Sequence, residues 1–193
     1  MLKITLILGG LALLVVLVGV GCQATRAGYK SAPYKVVRQA GKFEVRDYPA
    51  LILVETPMAA SGGDGSFSRL FNFITGRNAS RQKIAMTTPV FMAGAATNTT
   101  MAFVLPATMA AGEVPRPTDP AVTVREMEPG RFAVFRFTGG RNPENEAAAV
   151  ARLQAWMAAE QLPARPGTVF GYFDPPWTPA FLRRNEVMIR TGT

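Results

Sequence analysis

From Tyr34 onward, short apolar–polar runs alternate with two helical periods. Tyr34-Lys35-Val36-Val37-Arg38 and Phe43-Glu44-Val45-Arg46-Asp47-Tyr48 predict two strands joined by a turn at Ala40-Gly41. The second alternates with period two, the mark of a half-buried strand, until Pro49 breaks it. Leu51 to Thr56 predicts a third strand, and Ser61-Gly62-Gly63-Asp64-Gly65 a loop. Phe67, Leu70, Phe71 and Ile74 then fall at i, i+3, i+4 and i+7. That spacing predicts a short helix with those four residues facing the core, closed by Gly76, with Arg69 and Phe73 off the buried face. Lys83 to Met92, interrupted by Pro89, and Met101 to Leu105 predict further strands.

Pro106 to Pro120 is proline-rich and reads as an exposed connection. The order then recurs. Val122 to Met127 and Phe132 to Phe137 predict strands, and Glu144 to Gln161 an Ala-rich helix with Asn142 as N-cap and Pro143 at its first position. Thr168 to Phe173 and Glu186 to Arg190 close the set, separated by the stiff aromatic loop Asp174-Pro175-Pro176-Trp177-Thr178-Pro179. Strands–helix–strands, twice over, predicts an α+β fold: a distorted antiparallel β-barrel of about eight strands with two helices against it and a pseudo-twofold relation between halves.

The N-terminus follows a different rule. Lys3 precedes a stretch from Ile4 to Thr25 without charge, and small residues lead into Cys22. This is the order of an export signal. Residues 1–21 read as a lipoprotein-type signal peptide with Cys22 as the lipidation site, although Gly19 stands where such boxes usually have Leu. An uncleaved membrane anchor, or a plain signal peptide with a chance Cys, are the alternatives. Residues 22–33 form a linker and 34–191 the folded domain. The expected location is the cell envelope, facing the periplasm; Gln23, in place of Asp, favours an outer-membrane lipoprotein.

Composition narrows the chemistry. One Cys excludes an internal disulfide and a multi-Cys metal site. No His excludes Ser-His-Asp and Cys-His catalysis and removes the commonest haem ligand. Lys+Arg 21 against Asp+Glu 13 gives a net charge of +8, which draws anionic groups. The basic residues are dispersed, so nucleic acid is not an expected partner.

Four blocks carry a resemblance: Tyr34-Lys35-Val36-Val37 with Phe43 to Pro49; Lys83-Ile84-Ala85-Met86-Thr87-Thr88-Pro89-Val90; Gly171 to Pro179; and Leu182-Arg183-Arg184-Asn185-Glu186-Val187. In this order the chain resembles the SOUL haem-binding protein family, from Tyr34 to Arg190. The resemblance implies a distorted barrel with two helices. It also implies a relation to gyrase-inhibitor-type effector-binding domains, which hold lipophilic ligands in a cleft between symmetric halves. Some members of the family bind haem or other tetrapyrroles, in two ways. The His-ligated one is closed to a chain without His; the other is a hydrophobic groove with basic residues near the propionates.

The ligand-site candidates are Arg69 and Phe73 on the first helix, which resembles the helix bordering the family's groove, with Lys83, Met86, Tyr172, Trp177 and Arg183. Arg69 suits a carboxylate. Met86 and Tyr172 carry the atoms that hold haem iron elsewhere, although packing and a rim hydroxyl account for them as well. Trp177 either walls a cleft or plugs the barrel end. Glu186, if inward, needs Arg183 or Arg184 as partner, or acts as an acid or base at a raised pKa, with Tyr172 assisting. Glu144 and Glu146 favour the helix dipole. Three functions follow: a tethered binding module for haem or a similar lipophilic planar molecule, a small-molecule effector-binding domain or hydrolase using Glu186, and a ligand-free envelope scaffold.

Overall fold

A computed structural model describes residues 28–59, 63–94 and 99–192; the export segment and Cys22 lie outside them. Eleven strands and two longer helices follow in the order β1 (Lys30–Ser31), β2 (Lys35–Ala40), β3 (Phe43–Tyr48), β4 (Leu51–Met58), α1 (Ser66–Ile74), β5 (Thr87–Thr88), β6 (Val90–Ala93), β7 (Thr99–Val104), β8 (Thr123–Met127), β9 (Gly130–Phe137), α2 (Pro143–Ala159), β10 (Ala164–Tyr172) and β11 (Asn185–Thr191).

Nine strands form one antiparallel sheet in the order β2-β3-β9-β11-β10-β6-β7-β4-β8. The sheet is not closed into the expected barrel: β2 and β8 are its two edges. It is nevertheless strongly curled. β3 and β4 stand six places apart in the sheet, about 28 Å if it were flat, yet only Pro49 and Ala50 join them. Three Cα steps span at most about 11 Å. The ladder therefore bends round without pairing its ends, so a barrel pattern in the sequence and an open sheet in space are compatible.

Alternation within the strands sorts three apolar clusters. Tyr48, Leu53, Phe91, Val104, Phe132 and Met188 share the inner face, where Ala32, just after β1, and Tyr34 also pack. On the outer face α1 covers Val54, Met101 and Phe103, and α2 covers Ala133, Phe135, Val187 and Ile189. The expected N-cap of α2 is present: Asn142 Oδ1 accepts from the Asn145 backbone N–H at 2.8 Å, with Pro143 at the first turn. Its buried stripe is Ala149, Leu153 and Met157, and Trp156 stacks on Phe43 at 5.0 Å.

The face assigned to α1 needs correction. Leu70, Phe73 and Ile74 are buried, whereas Phe67 and Phe71 are 47% and 45% exposed. Phe73, expected off the core, is 2% exposed within it. The i, i+3, i+4, i+7 rule fixed the period of the stripe but not its edges. Nine residues make only two and a half turns, so a stripe centred on Leu70 accepts Phe73 on one side or Phe67 and Phe71 on the other equally well.

Candidate ligand-binding site

Helix α1 is placed by polar contacts at its start. Asp64 accepts from the backbone N–H of Ala59 at 2.8 Å and of Ser66 at 3.1 Å, which holds its carboxyl well below the usual range. Gly65, at φ 79°, turns the chain into the helix. Arg69 fastens the helix to β4. Its guanidinium donates to Thr56 Oγ1 at 3.0 Å, to Asp64 O at 2.9 Å and to Pro57 O at 2.7 Å. Those donors are spent on the fold.

Phe67 and Phe71 stack with their ring centroids 5.9 Å apart, and Phe67 also meets the buried Phe103 edge-on at 5.2 Å. The pair is thus anchored at one ring and open at the other. Beyond the C-terminal end of α1, Arg77 and Lys83 are both exposed. A Cβ placed on Gly76 would lie 4.0 Å from Lys83 Cγ, so Lys83 returns beside the helix terminus. Met86, partly buried, packs against the cluster beneath α1. On the other flank, Arg69, Asn72, Phe73, Arg77, Pro117, Thr118, Asp119 and Val122 line a depression of about 260 Å³. That is below the roughly 300–1,000 Å³ of pockets that engulf a drug-sized ligand. A second depression, among Leu53, Phe91, Ala102, Arg125, Met127 and Val169, holds about 30 Å³.

Glu186 is among the most buried polar groups, beside Arg46. It is 1% exposed and sits in a cluster that the sequence only half disclosed. Arg184 donates to its Oε1 at 2.7 Å, as expected of one of the two arginines. The main partner is Arg46, which gives Glu186 a two-pronged pair at 2.7 and 3.0 Å and also reaches Glu44 at 2.6 Å and the Tyr48 hydroxyl at 3.1 Å. Arg136 completes the ring, 3.2 Å from Glu44 and 3.5 Å from Glu186. Tyr34 caps it, its ring 4.1 Å from the Arg46 guanidinium carbon. Burial pushes the Glu186 carboxyl up, but the hydrogen bonds and charges of Arg46 and Arg184 outweigh it and hold the group below its ordinary value. Burial raises the Tyr48 phenol to about 12, against the opposing pull of Arg46. Glu186 is therefore a fixed carboxylate, the opposite of an acid poised at a raised pKa. The signal for Arg46 was present: Glu44, Arg46 and Tyr48 occupy one face of β3, a period-two row of opposite charges.

Tyr172 also has a partner that was missed. Its hydroxyl donates to Glu146 Oε1 at 2.5 Å, and Arg141 lies 3.7 Å from the same oxygen. Burial first, then the Glu146 hydrogen bond and charge, push the phenol far up, so it stays protonated at neutral pH. Arg183 is not the partner of Glu186. It donates to the backbone oxygens of Thr178, at 2.7 Å, and Pro176, and so stiffens the proline loop. Trp177 stands out on that loop, 79% exposed. The proposed residues thus fall apart: Phe73, Lys83 and Met86 belong with α1, while Tyr172, Trp177 and Arg183 gather at the end of β10.

The family model described as SOUL heme-binding protein matches residues 29–190. The chain belongs to the SOUL haem-binding protein family. No curated protein matches this SOUL-family sequence. Solved structures do match its fold. The EcmrR C-terminal domain has a TM-score of 0.55 at 11% identity, over 83% of this chain and 98% of that one. A hydrolase from Listeria innocua has 0.58 at 11% identity, over 81% and 94%. EcmrR in a complex with DNA has 0.60 at 8% identity, over 96% and 69%. At such identities the likeness concerns the fold alone.

Haem is the group the SOUL family name implies, and the residues permit a limited fit. The open Phe67–Phe71 face and the exposed Arg77 and Lys83 suit a flat molecule with carboxylates. Iron ligation finds less support. The sequence has no His, Tyr172 is held as a phenol by Glu146, and Met86 packs on the core.

Proposed function

We propose that this SOUL-family chain is an envelope-tethered module that binds haem, or a lipophilic ligand of similar shape, by contact on the open face of α1 and without a protein ligand to iron. The observation that carries the reading is the stacked, half-exposed Phe67–Phe71 pair on a helix whose remaining aromatic, Phe73, is buried. Covering the exposed half of each Phe side chain gives about 1.5–3 kcal/mol in total before binding costs, and micromolar affinity needs about 8. The remainder falls to pairing of carboxylates with Arg77 and Lys83. Arg69 contributes by holding the helix in place.

The tether rests on the sequence from Lys3 to Cys22. An acylated Cys22 fragment supports the lipoprotein form; an unmodified thiol on a full-length chain rejects lipidation. The hydrolytic alternative has less to support it, since Glu186 is buried, ionised and ringed by three guanidinium groups. The binding test is a hemin titration of the full chain in lipid nanodiscs, with protein-free nanodiscs as blank. A saturable Soret shift at micromolar hemin is expected; no shift beyond the blank rejects the proposal.

A further inference from the structure

The connection from Tyr172 to Asn185 carries two large apolar side chains into solvent, Trp177 at 79% and Phe181 at 66% exposure, the most exposed of the large hydrophobic residues described. The loop is rigid. Thr178 is 3% exposed, the Arg184 backbone N–H donates to Asp174 at 2.6 Å, Arg183 holds the carbonyls of Pro176 and Thr178, and the Gly139 N–H donates to Ala180 O at 3.0 Å. Prolines at 175, 176 and 179 remove further freedom. A fold that fixes Trp177 outward so firmly loses little entropy when the ring is covered.

The loop shares one end of the sheet with the entry of the chain. It joins the end of β10 to the start of β11, and Tyr172 pairs with Val90 at the start of β6. Just before β6, β5 pairs with β1 through Lys30↔Thr87 and Ser31↔Thr88. The uncharged run ends at Thr25, and Cys22 is three residues earlier. Five to eight residues therefore separate either form of anchor from Lys30, a reach of at most about 18–29 Å. A domain of this size has a radius of gyration of about 15 Å, so such a tether cannot turn its far end to the bilayer. Lys30, Arg141 and Arg183 lie at this same end, on a chain of net charge +8.

We infer that the 174–182 loop docks on the anionic bilayer surface to which the chain is tethered, with Trp177 and Phe181 seated at the headgroup level. Trp is the side chain best suited to that interface, apolar in its body and polar at its N–H. Docking fixes the orientation of the domain: the β1–β5 end faces the lipid. The inference rests on the proposed tether and is independent of the haem reading.

Trp156 provides an internal reference. The start of α2 neighbours the loop, since Asn145 Nδ2 donates to Gly140 O at 2.9 Å beside Gly139. Trp156 lies about 17 Å beyond Asn145 along that helix, stacked on Phe43. The full chain is reconstituted in vesicles of phosphatidylethanolamine and phosphatidylglycerol containing brominated phosphatidylcholine. Flotation and tryptophan fluorescence are then read together. The expected result is strong bromine quenching that is lost in Trp177→Phe, where only Trp156 emits, and reduced in Phe181→Ser. Equal quenching in the wild type and Trp177→Phe overturns the inference. A chain that floats with unquenched emission overturns docking and leaves the tether standing; a chain that does not float overturns both. A loop covered by a second copy of the chain, seen as a dimer with unquenched Trp177, likewise overturns it.

Discussion

Arg46 on β3 and Glu186 on β11, 140 positions apart, meet through two parallel hydrogen bonds of 2.7 and 3.0 Å in a region that water does not reach. The pair joins two strands on either side of β9, and Glu44, Arg136 and Arg184 extend it. Removing Arg46 takes away the fully buried, two-pronged partner and leaves Glu186 only the more open Arg184 and Arg136; breaking a buried pair typically costs about 3–5 kcal/mol. Arg46→Met is expected to lose that much in urea unfolding. Arg184→Met, at a more open position, is expected to lose about 1.5 kcal/mol. Equal losses would contradict the ranking.

The same cluster sets an acid limit. The folded-state pKa of Glu186 lies below its ordinary 4.5 because Arg46 and Arg184 outweigh the effect of burial. A depressed carboxyl stabilises the fold above its unfolded pKa and ceases to do so as pH falls through the folded one. Asp47, lowered by the Arg131 hydrogen bond, acts in the same direction. The melting temperature is therefore expected to fall progressively below pH 4.5, with a shallower slope in Glu186→Gln. A Glu186→Gln protein whose slope matches the wild type would show that the linkage lies elsewhere.

Helix α1 separates stability from binding by side chain. Phe73→Ala empties a core site and is expected to cost about 3–5 kcal/mol. Phe67→Ser with Phe71→Ser removes a half-exposed pair of which Phe67 rests on Phe103, so thermal melts should shift less than in Phe73→Ala while hemin affinity drops at least tenfold. A double variant as unstable as Phe73→Ala would place the pair in the core instead.

Tyr172→Phe removes the hydrogen bond to Glu146 and is expected to cost about 1 kcal/mol. The visible spectrum of a hemin complex should be the same with and without this hydroxyl. Loss of a phenolate-to-iron band in Tyr172→Phe would show coordination that the protonated phenol argues against.

The strand and helix succession was legible because period two and period 3.6 leave separate marks, and the Asn142 cap and the following Pro143 declared the start of α2. Two things were hidden, each for its own reason. The period two of β3 marked a half-buried strand and left the row Glu44, Arg46 and Tyr48 visible, but not that both faces are covered and that Arg46 meets Glu186. A nine-residue helix presents too few turns to fix the edges of its stripe, so Phe73 exchanged places with Phe67 and Phe71. The Glu186 partner was narrowed to Arg183 or Arg184, and Arg184 is one; Arg183 turned out to brace the loop. Closure of the sheet depends on pairing between β2 and β8, edges with no mutual signal in the chain.

Hemin titration of wild type beside the Phe67→Ser, Phe71→Ser double variant and Tyr172→Phe tests the contact mode most directly. A saturable Soret shift retained by Tyr172→Phe and lost by the double variant is the predicted result. A shift that survives the double variant, or that only Tyr172→Phe abolishes, would contradict binding on the α1 face.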